Sequence, residues 1–402
     1  MMGTIEVRVG DLGEVVTGKT PSKKEAKYFD GEFQFVTPSD LSFKHYYCRK
    51  TEVTVTEEAK SKHKNQFVPA ESVMFTCIGN TIGKCAISSE LCLTNQQINT
   101  IVPGDENESK FIYYFLNHYM EVFRGIGLSG GAATPIINKT SFSSVKLKAP
   151  YREKWPEIGR LLSAYDDLIE NNRRRIQLLE ESARLLYKEW FVHLRFPGHE
   201  HVKIKDGVPE GWSEGIVSDF YNTASGGTPS RKNLDFYTGD ISWIKTGELK
   251  DGFIVNSEEK ITEEAIKNSS AKLFPVHTVL VAMYGATIGQ TGILAVESAS
   301  NQACCALMPK EKIANYIYAY LFLRENKAGL IGRSKGAAQN NISQDIVKSF
   351  KMIMPSGIIM SLFFDNLSPV FCQLLALQQQ NIKLEKARDI LLPRLMSGGL
   401  AV

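Results

Sequence analysis

The sequence predicts an α+β chain: two pseudo-repeated mixed α/β domains joined by two long helices that form an antiparallel coiled coil. Three observations predict it. Tyr165, Ile169, Asn172, Ile176, Leu179, Ala183, Leu186 and Trp190 recur at alternating steps of four and three, and all but Asn172 are apolar. Val370, Leu374, Leu377, Asn381, Leu384, Arg388, Leu391 and Leu395 repeat that spacing near the end of the chain. The residues before each seam also resemble one another, so the whole chain repeats at an offset of about 205–208 residues.

The two seams call for one another as partners, because a lone apolar stripe has nothing to bury against. Ser163 with Asp166 three residues on fits an N-terminal capping box. Ser368 followed by Pro369 fits an N-cap with proline at the first helical position. A short helix is expected before each cap, from near Pro156 and near Ile359. Pro393 is expected to kink or end the second helix, which puts the layer at Leu395 in question. Two registers are open. One sets Asn172 opposite Asn381, the other opposite Arg388, and buried Asn pairs as register devices favour the first. From Ala164 to Val192 the helix would run about 43 Å at ~1.5 Å per residue, a little over one turn of B-DNA.

The repeat continues through the globular parts. Val9-Gly10-Asp11-Leu12 matches Val217-Ser218-Asp219-Phe220, and Gly18-Lys19-Thr20-Pro21-Ser22 matches Gly226-Gly227-Thr228-Pro229-Ser230. Gly79-Asn80-Thr81-Ile82-Gly83 matches Gly285-Ala286-Thr287-Ile288-Gly289, Asn95-Gln96 matches Asn301-Gln302, and Gly131-Ala132-Ala133 matches Gly336-Ala337-Ala338. Short apolar runs at Phe33 to Val36, Ser72 to Ile78, Ile98 to Val102 and Val279 to Tyr284 read as strands, and Ser109 to Val122 and Ala314 to Asn326 as helices. The expected division is residues 1–150 as the first domain, 151–196 as a helical arm, 197–211 as a Gly- and Pro-rich linker, 212–355 as the second domain and 356–402 as the second arm.

Composition narrows the partners little. A 43% hydrophobic, 23% charged chain is ordinarily globular, and a net charge of +3 leaves any nucleic-acid role to rest on where the charges lie. No apolar run approaches a membrane span, and the first residues lack the pattern of a secretory signal. Seven Cys without a Cys-x-x-Cys pair suggest reduced thiols and a cytoplasmic protein. No metal site is expected; His199 and His201, flanking Glu200, read as a solvated loop.

Two domains on a rigid helix pair would place two readers on one face of a duplex, with unread base pairs between them. Cations and hydroxyls suited to phosphate cluster after the first Gly: Lys19, Thr20, Ser22, Lys23 and Lys24, and in the twin Thr228, Ser230, Arg231 and Lys232, with Lys245 beyond. Side chains able to pair with base edges lie in later loops: Asn95, Gln96, Gln97, Thr134 and Asn138, and in the twin Asn301, Gln302, Lys335, Gln339, Asn340 and Asn341. Arg173, Arg174 and Arg175 read as a solvated helix face.

These residues resemble the DNA-specificity subunit of type I restriction–modification systems over essentially the whole chain. The resemblance rests on Gly18 to Ser22 and Gly226 to Ser230, on Tyr237-x-Gly239-Asp240-Ile241-x-Trp243, and on Gly285-x-x-x-Gly289 with Asn301-Gln302. The helix ends are its most specific part, Leu185-Leu186-Tyr187-Lys188-Glu189-Trp190-Phe191 and Leu391-Leu392-Pro393-Arg394-Leu395-Met396-Ser397-Gly398. The tail Gly399-Leu400-Ala401-Val402 departs from the family, where an acidic residue after Ser-Gly is more usual. The resemblance implies two target-recognition domains reading a bipartite, asymmetric double-stranded DNA site, and helices that set the spacing and dock two adenine methyltransferase subunits. It implies restriction motor and nuclease subunits joining them. It implies no chemistry and no cofactor in this chain; S-adenosylmethionine, ATP and Mg would belong to the partners.

Enzymatic readings fare worse. Gly13-Glu14-Val15-Val16-Thr17-Gly18-Lys19-Thr20 formally matches a phosphate-binding loop, but no helical period follows it, and the twin lacks both the first Gly and the Lys. Neither a methyltransferase cofactor loop with its Asn/Asp-Pro-Pro motif nor a carboxylate cluster with Lys stands out. The remaining alternative is a helical adaptor that binds protein and reads no DNA.

Overall fold

The strand runs are apolar without a break because the main sheet is covered on both faces. In the computed structural model, which describes residues 3–43, 45–129, 134–310, 314–333 and 341–400, the chain divides into two units. The first holds residues 1–170 and 382–402, the second residues 171–381. Each carries the same sheets in the same strand order.

In the first unit, Glu14–Thr17, Ile98–Val102, Val73–Thr76, Cys85–Ser88 and Tyr47–Cys48 form a five-stranded sheet in that order. A four-stranded sheet runs Val53–Val55, Phe29–Val36, Cys92–Thr94, Phe67–Val68. Alternation along the strands sorts the side chains. Val73, Phe75, Cys85 and Ile87 point to a core shared with the helix Ser109–His118. Met74 and Ala86 point to a second core with Val36, Val68 and Cys92 of the four-stranded sheet. Thr4–Arg8 pairs antiparallel with Lys146–Pro150 and closes the domain.

The second unit repeats this. Its five-stranded sheet is Tyr221–Ser225, Cys304–Pro309, Val279–Ala282, Thr291–Leu294 and Phe253–Ile254, and its four-stranded sheet Lys260–Ile261, Ile241–Ile244, Ser298–Ser300 and Leu273–Phe274. Val279 and Val281 face the helix side while Leu280 and Ala282 face the smaller sheet. The expected helix from Ser109 to Val122 is two, Ser109–His118 and Met120–Ser129, and its twin begins at Tyr316 because the Asn315 side chain caps it through the Tyr318 N–H at 2.9 Å. The expected linker contains a small hairpin, Ile204–Lys205 with Val208–Pro209, turned by Asp206 and Gly207, both at positive φ.

The long helices differ from expectation in three ways. They start earlier: the central helix is Trp155–Tyr187 and the C-terminal helix Gly357–Met396, each unbroken. Ser163 therefore caps nothing. It lies inside the helix, its Oγ 3.2 Å from the Arg160 carbonyl and 3.3 Å from the Lys110 Nζ that donates to it. The true start is marked by Trp155, whose indole N–H donates to the Pro150 carbonyl at 2.9 Å, with Pro156 in the first turn. Pro369 and Pro393 are also carried within a helix. Both are exposed, as are Asp365 and Asp389 four residues earlier, so each proline sits on an outward face of the helix. Leu395 and Met396 are fully buried in the first unit, so the questioned layer packs.

Second, the helices are not arms outside the domains. Trp155, Ile158, Leu162, Leu395 and Met396 belong to the core of the first unit. Ala183, Tyr187, Trp190, Phe363, Phe371 and Leu374 belong to that of the second. Gly357–Met396 is long and apolar enough by composition to cross a membrane, contrary to the expectation that no stretch is, and about a third of its most apolar stretch is buried in the fold. Third, the seam is offset at its ends. Asp166 and Tyr187 are buried where Tyr165 and Leu186 were expected, and Phe371 where Val370 was; those three are half-buried. Within the first unit Asp166 accepts from Arg388 and from the Tyr114 hydroxyl. Within the second, Asn172 Nδ2 donates to Asn381 Oδ1 at 2.9 Å and to Gln380 Oε1 at 3.1 Å. In each unit the helices pair antiparallel.

Candidate nucleic-acid interface

The Gly that opens each candidate loop is required by a close approach of backbone. A Cβ on Gly18 would lie 2.2 Å from the Thr94 carbonyl oxygen, and one on Gly226 2.1 Å from that of Ser300. That contact lets Lys19 N–H donate to Thr94 at 2.8 Å and Gly227 N–H to Ser300 at 2.8 Å. The Thr two residues after the Gly then clasps the neighbouring loop. Thr20 Oγ1 donates to Gln96 Oε1 at 2.5 Å, and Thr228 Oγ1 makes the same bond to Gln302 Oε1. Although the two domains have diverged, both keep this clasp.

Two more loops join each cluster. Cys77 N–H donates to the Gln97 carbonyl at 2.9 Å and Ile137 N–H to Cys77 at 2.9 Å; in the twin, Met283 N–H donates to Ala303 at 2.8 Å and Ile342 N–H to Met283 at 3.0 Å. Gly79 and Gly285 sit at positive φ, turning the chain between these contacts. Each unit thus gathers four loops that are far apart in sequence.

The candidate residues divide by what they already bind. Lys19, Lys23, Lys24 and Lys232 are exposed, with no ion-pair partner among the described residues, as phosphate contacts require. Ser22, Ser230 and Thr134 are exposed, Gln97 half-buried. Three amides serve the fold: Asn95 Oδ1 accepts from Gln97 N–H at 2.9 Å, Asn301 Oδ1 from Ala303 N–H at 3.2 Å, and Asn138 Oδ1 caps the helix Lys139–Ser144 through Ser141 N–H at 2.8 Å. Each of these side-chain oxygens is therefore engaged in a turn or a cap. Asn341 is half-buried; Lys335, Gln339 and Asn340 lie outside the described residues, as do the two Gly-Ala-Ala runs.

Arg231 and Lys245 are already paired within the fold. Arg231 pairs with Glu259 at 2.6 Å, and its guanidinium lies 4.2 Å from the Tyr237 ring centroid and 5.2 Å from that of Trp243. Lys245 Nζ reaches Glu259 at 3.0 Å and Glu258 at 3.1 Å. The hydrogen bond from Arg231 holds the Glu259 carboxyl below its usual range, and the bond to Glu259 raises the Lys245 ammonium. Tyr237, Trp243, Glu258 and Glu259 were missed as members of the site. The aromatic positions lie in the Tyr237-x-Gly239-Asp240-Ile241-x-Trp243 stretch that carries the family resemblance, but the two Glu lie too far along the chain to be linked to Arg231 by spacing. Exposed Tyr284, beside Gly285, was also missed.

Comparison with known proteins is consistent across the chain. A family model described as the type I restriction modification DNA specificity domain matches residues 3–181 and again residues 209–385. The chain is 27% identical over 410 residues to the type I restriction enzyme MjaIX specificity subunit of Methanocaldococcus jannaschii, covering 98% of this chain and 93% of that one. It is 23% identical over 389 residues to the HindI specificity subunit of Haemophilus influenzae, covering 80% and 82%. The fold resembles the crystal structure of a type I restriction–modification S subunit from M. genitalium, with a TM-score of 0.65 at 15% identity over 98% of this chain and 96% of that one.

Proposed function

The chain belongs to the type I restriction modification DNA specificity family, and on that premise we propose how its two repeats divide the work. It is the DNA sequence-recognition subunit of such a system, and catalysis lies in other subunits. Each four-loop cluster reads one half of a bipartite, asymmetric site. The paired helices set the number of unread base pairs between the halves. The observation that supports this most is the duplicated clasp, Thr20 to Gln96 and Thr228 to Gln302, which ties the lysine-bearing loop to the Asn-Gln loop in both units. The same framework with different exposed side chains suits two readers of different sequence.

The subunit assembles with DNA and with other subunits. We assign the partners as two methyltransferase subunits, which bind S-adenosylmethionine, and restriction subunits, which use ATP and Mg; the cytoplasm is the expected compartment. Outward apolar residues on the long helices support docking of protein there: Leu161 and Leu168 in the first unit, Leu178, Leu185 and Ile358 in the second. The adaptor reading gives way, since it has no use for two loop clusters built alike.

Footprinting of the full chain with its methyltransferase partner on a random-sequence duplex library tests the proposal. Two short protected blocks of defined sequence, separated by unspecified base pairs, are expected. Protection without any sequence preference would overturn it.

A further inference from the structure

The repeats share their framework, so what differs at matched positions should carry what each half reads. One such difference lies beside the second clasp. Arg231, Tyr237 and Trp243 correspond to Lys23, Phe29 and Phe35, and Glu259 corresponds to Val53 by strand register: Val55 pairs with Phe33 as Ile261 pairs with Ile241. The first unit therefore has neither the carboxylate nor the hydroxyl of this arrangement.

In the second unit the guanidinium is held from three sides. Tyr237 and Trp243 lie beneath it, and both rings are tied to the loop that bears it. Tyr237 Oη donates to the Pro229 carbonyl at 2.7 Å and Trp243 Nε1 to that of Gly227 at 2.9 Å. Glu259 takes one edge through Nη1 at 2.6 Å. The side chain is still 54% exposed, and no other protein acceptor meets its remaining N–H groups among the described residues. A planar donor fork is thus fixed in direction with part of it facing solvent.

Charge separates a base contact from a phosphate contact. Arg231 and Lys245 face Glu258 and Glu259, so the cluster is neutral and a weak attractor of phosphate. Orientation is what it offers, and orientation is what the major-groove edge of guanine, with its O6 and N7 acceptors, rewards. Resting on the DNA-reading function above, we propose that Arg231 reads a guanine in the half-site of the second domain. Tyr237, Trp243 and Glu259 are positioning residues, and Lys23 of the first domain makes only a phosphate contact.

The test uses the full chain with its methyltransferase partner, selected on a random duplex library. Wild type, R231K, R231A, E259Q and K23A are compared, with melting temperatures alongside. R231K keeps the charge but loses the fork. It is expected to relax one guanine position of one half-site by about tenfold or more, leaving the other half-site, the melting temperature and the salt dependence unchanged. E259Q, which frees the fork to turn, is expected to weaken preference at that same position. K23A is expected to weaken binding to all sequences alike and to lower the slope of log affinity against log salt by about one. A uniform loss of that kind in R231A, or an unaltered selected site in R231K, would overturn the proposal. Failure of wild type to select any sequence would instead overturn the DNA-reading function itself.

Discussion

Asp166 and Arg388 form a buried ion pair, with Asp166 3% exposed and also bonded to the Tyr114 hydroxyl. Burial works against the Arg388 charge, but Asp166 and Asp389 outweigh it and hold its pKa above the usual value. Removing one partner leaves a buried charge alone. R388M is expected to cost ~3–5 kcal/mol, and D166L with R388M together less than R388M alone. Unfolding of the two proteins in denaturant checks this, and a double variant worse than the single would contradict it. The cysteines give a second prediction. Of seven, only Cys372 is exposed. Burial, with Asp40 nearby, pushes the Cys48 thiol up to about 11, and burial takes Cys77 to about 12. One thiol per native chain should react with a disulfide reagent at pH 8, and C372S should abolish it. Because these folded pKa values lie above the unfolded ~8.5, their stabilising contribution is whole below that pH and is lost as pH rises toward 11–12. A melting temperature that climbed between pH 9 and 11 would contradict it.

At the scale of elements, the long helices are specified by faces rather than by caps. Asn172 donates to Asn381 in the second unit. N172L leaves the Asn381 amide without that partner and is expected to cost ~1–3 kcal/mol, whereas N172L with N381L together should cost less, at the expense of register. A double-mutant cycle followed by thermal melting measures the coupling, and additive losses would remove the register role. Seven residues inserted in both helices at paired positions keep each apolar face in phase. They add about 10 Å at ~1.5 Å per residue, so the unread spacer should lengthen by about three base pairs while both half-sites persist. Methylated-adenine mapping reads this directly; an unchanged spacer would show that the helices do not set it.

For the whole molecule, two units with their own sheets and cores imply modular specificity. Replacing residues 1–150 with those of a related chain should change one half of the recognised site and leave the other as it was. Simultaneous change of both halves, again by methylation mapping, would contradict modularity. The replacement carries a risk that the cores reveal. Trp155, Ile158 and Leu162, with Leu395 and Met396, complete the first core, so an exchanged domain must fit helix residues supplied from outside its own span.

Most of what could be read in the sequence was written within a few residues of itself. The heptad spacing, the Asn172 and Asn381 positions and the Gly at 18 and 226 follow from local periodicity and backbone sterics, and the repeat from matching the chain against itself at an offset of about 205–208 residues. Ser163 and Pro393 misled because capping and helix-breaking signals are also local, and the buried Trp155 and Leu395 overrode them through packing that no short window contains. Only the tertiary structure decided that each core takes half of both helices, that Asp166 rather than Tyr165 faces the partner helix, and that Asn95, Asn138 and Asn301 serve turns and a cap. It alone brought Glu259 to Arg231. The physical reason is distance along the chain: an ion pair or a shared core depends on residues that only the folded backbone brings together, whereas a seam or a tight turn depends on neighbours.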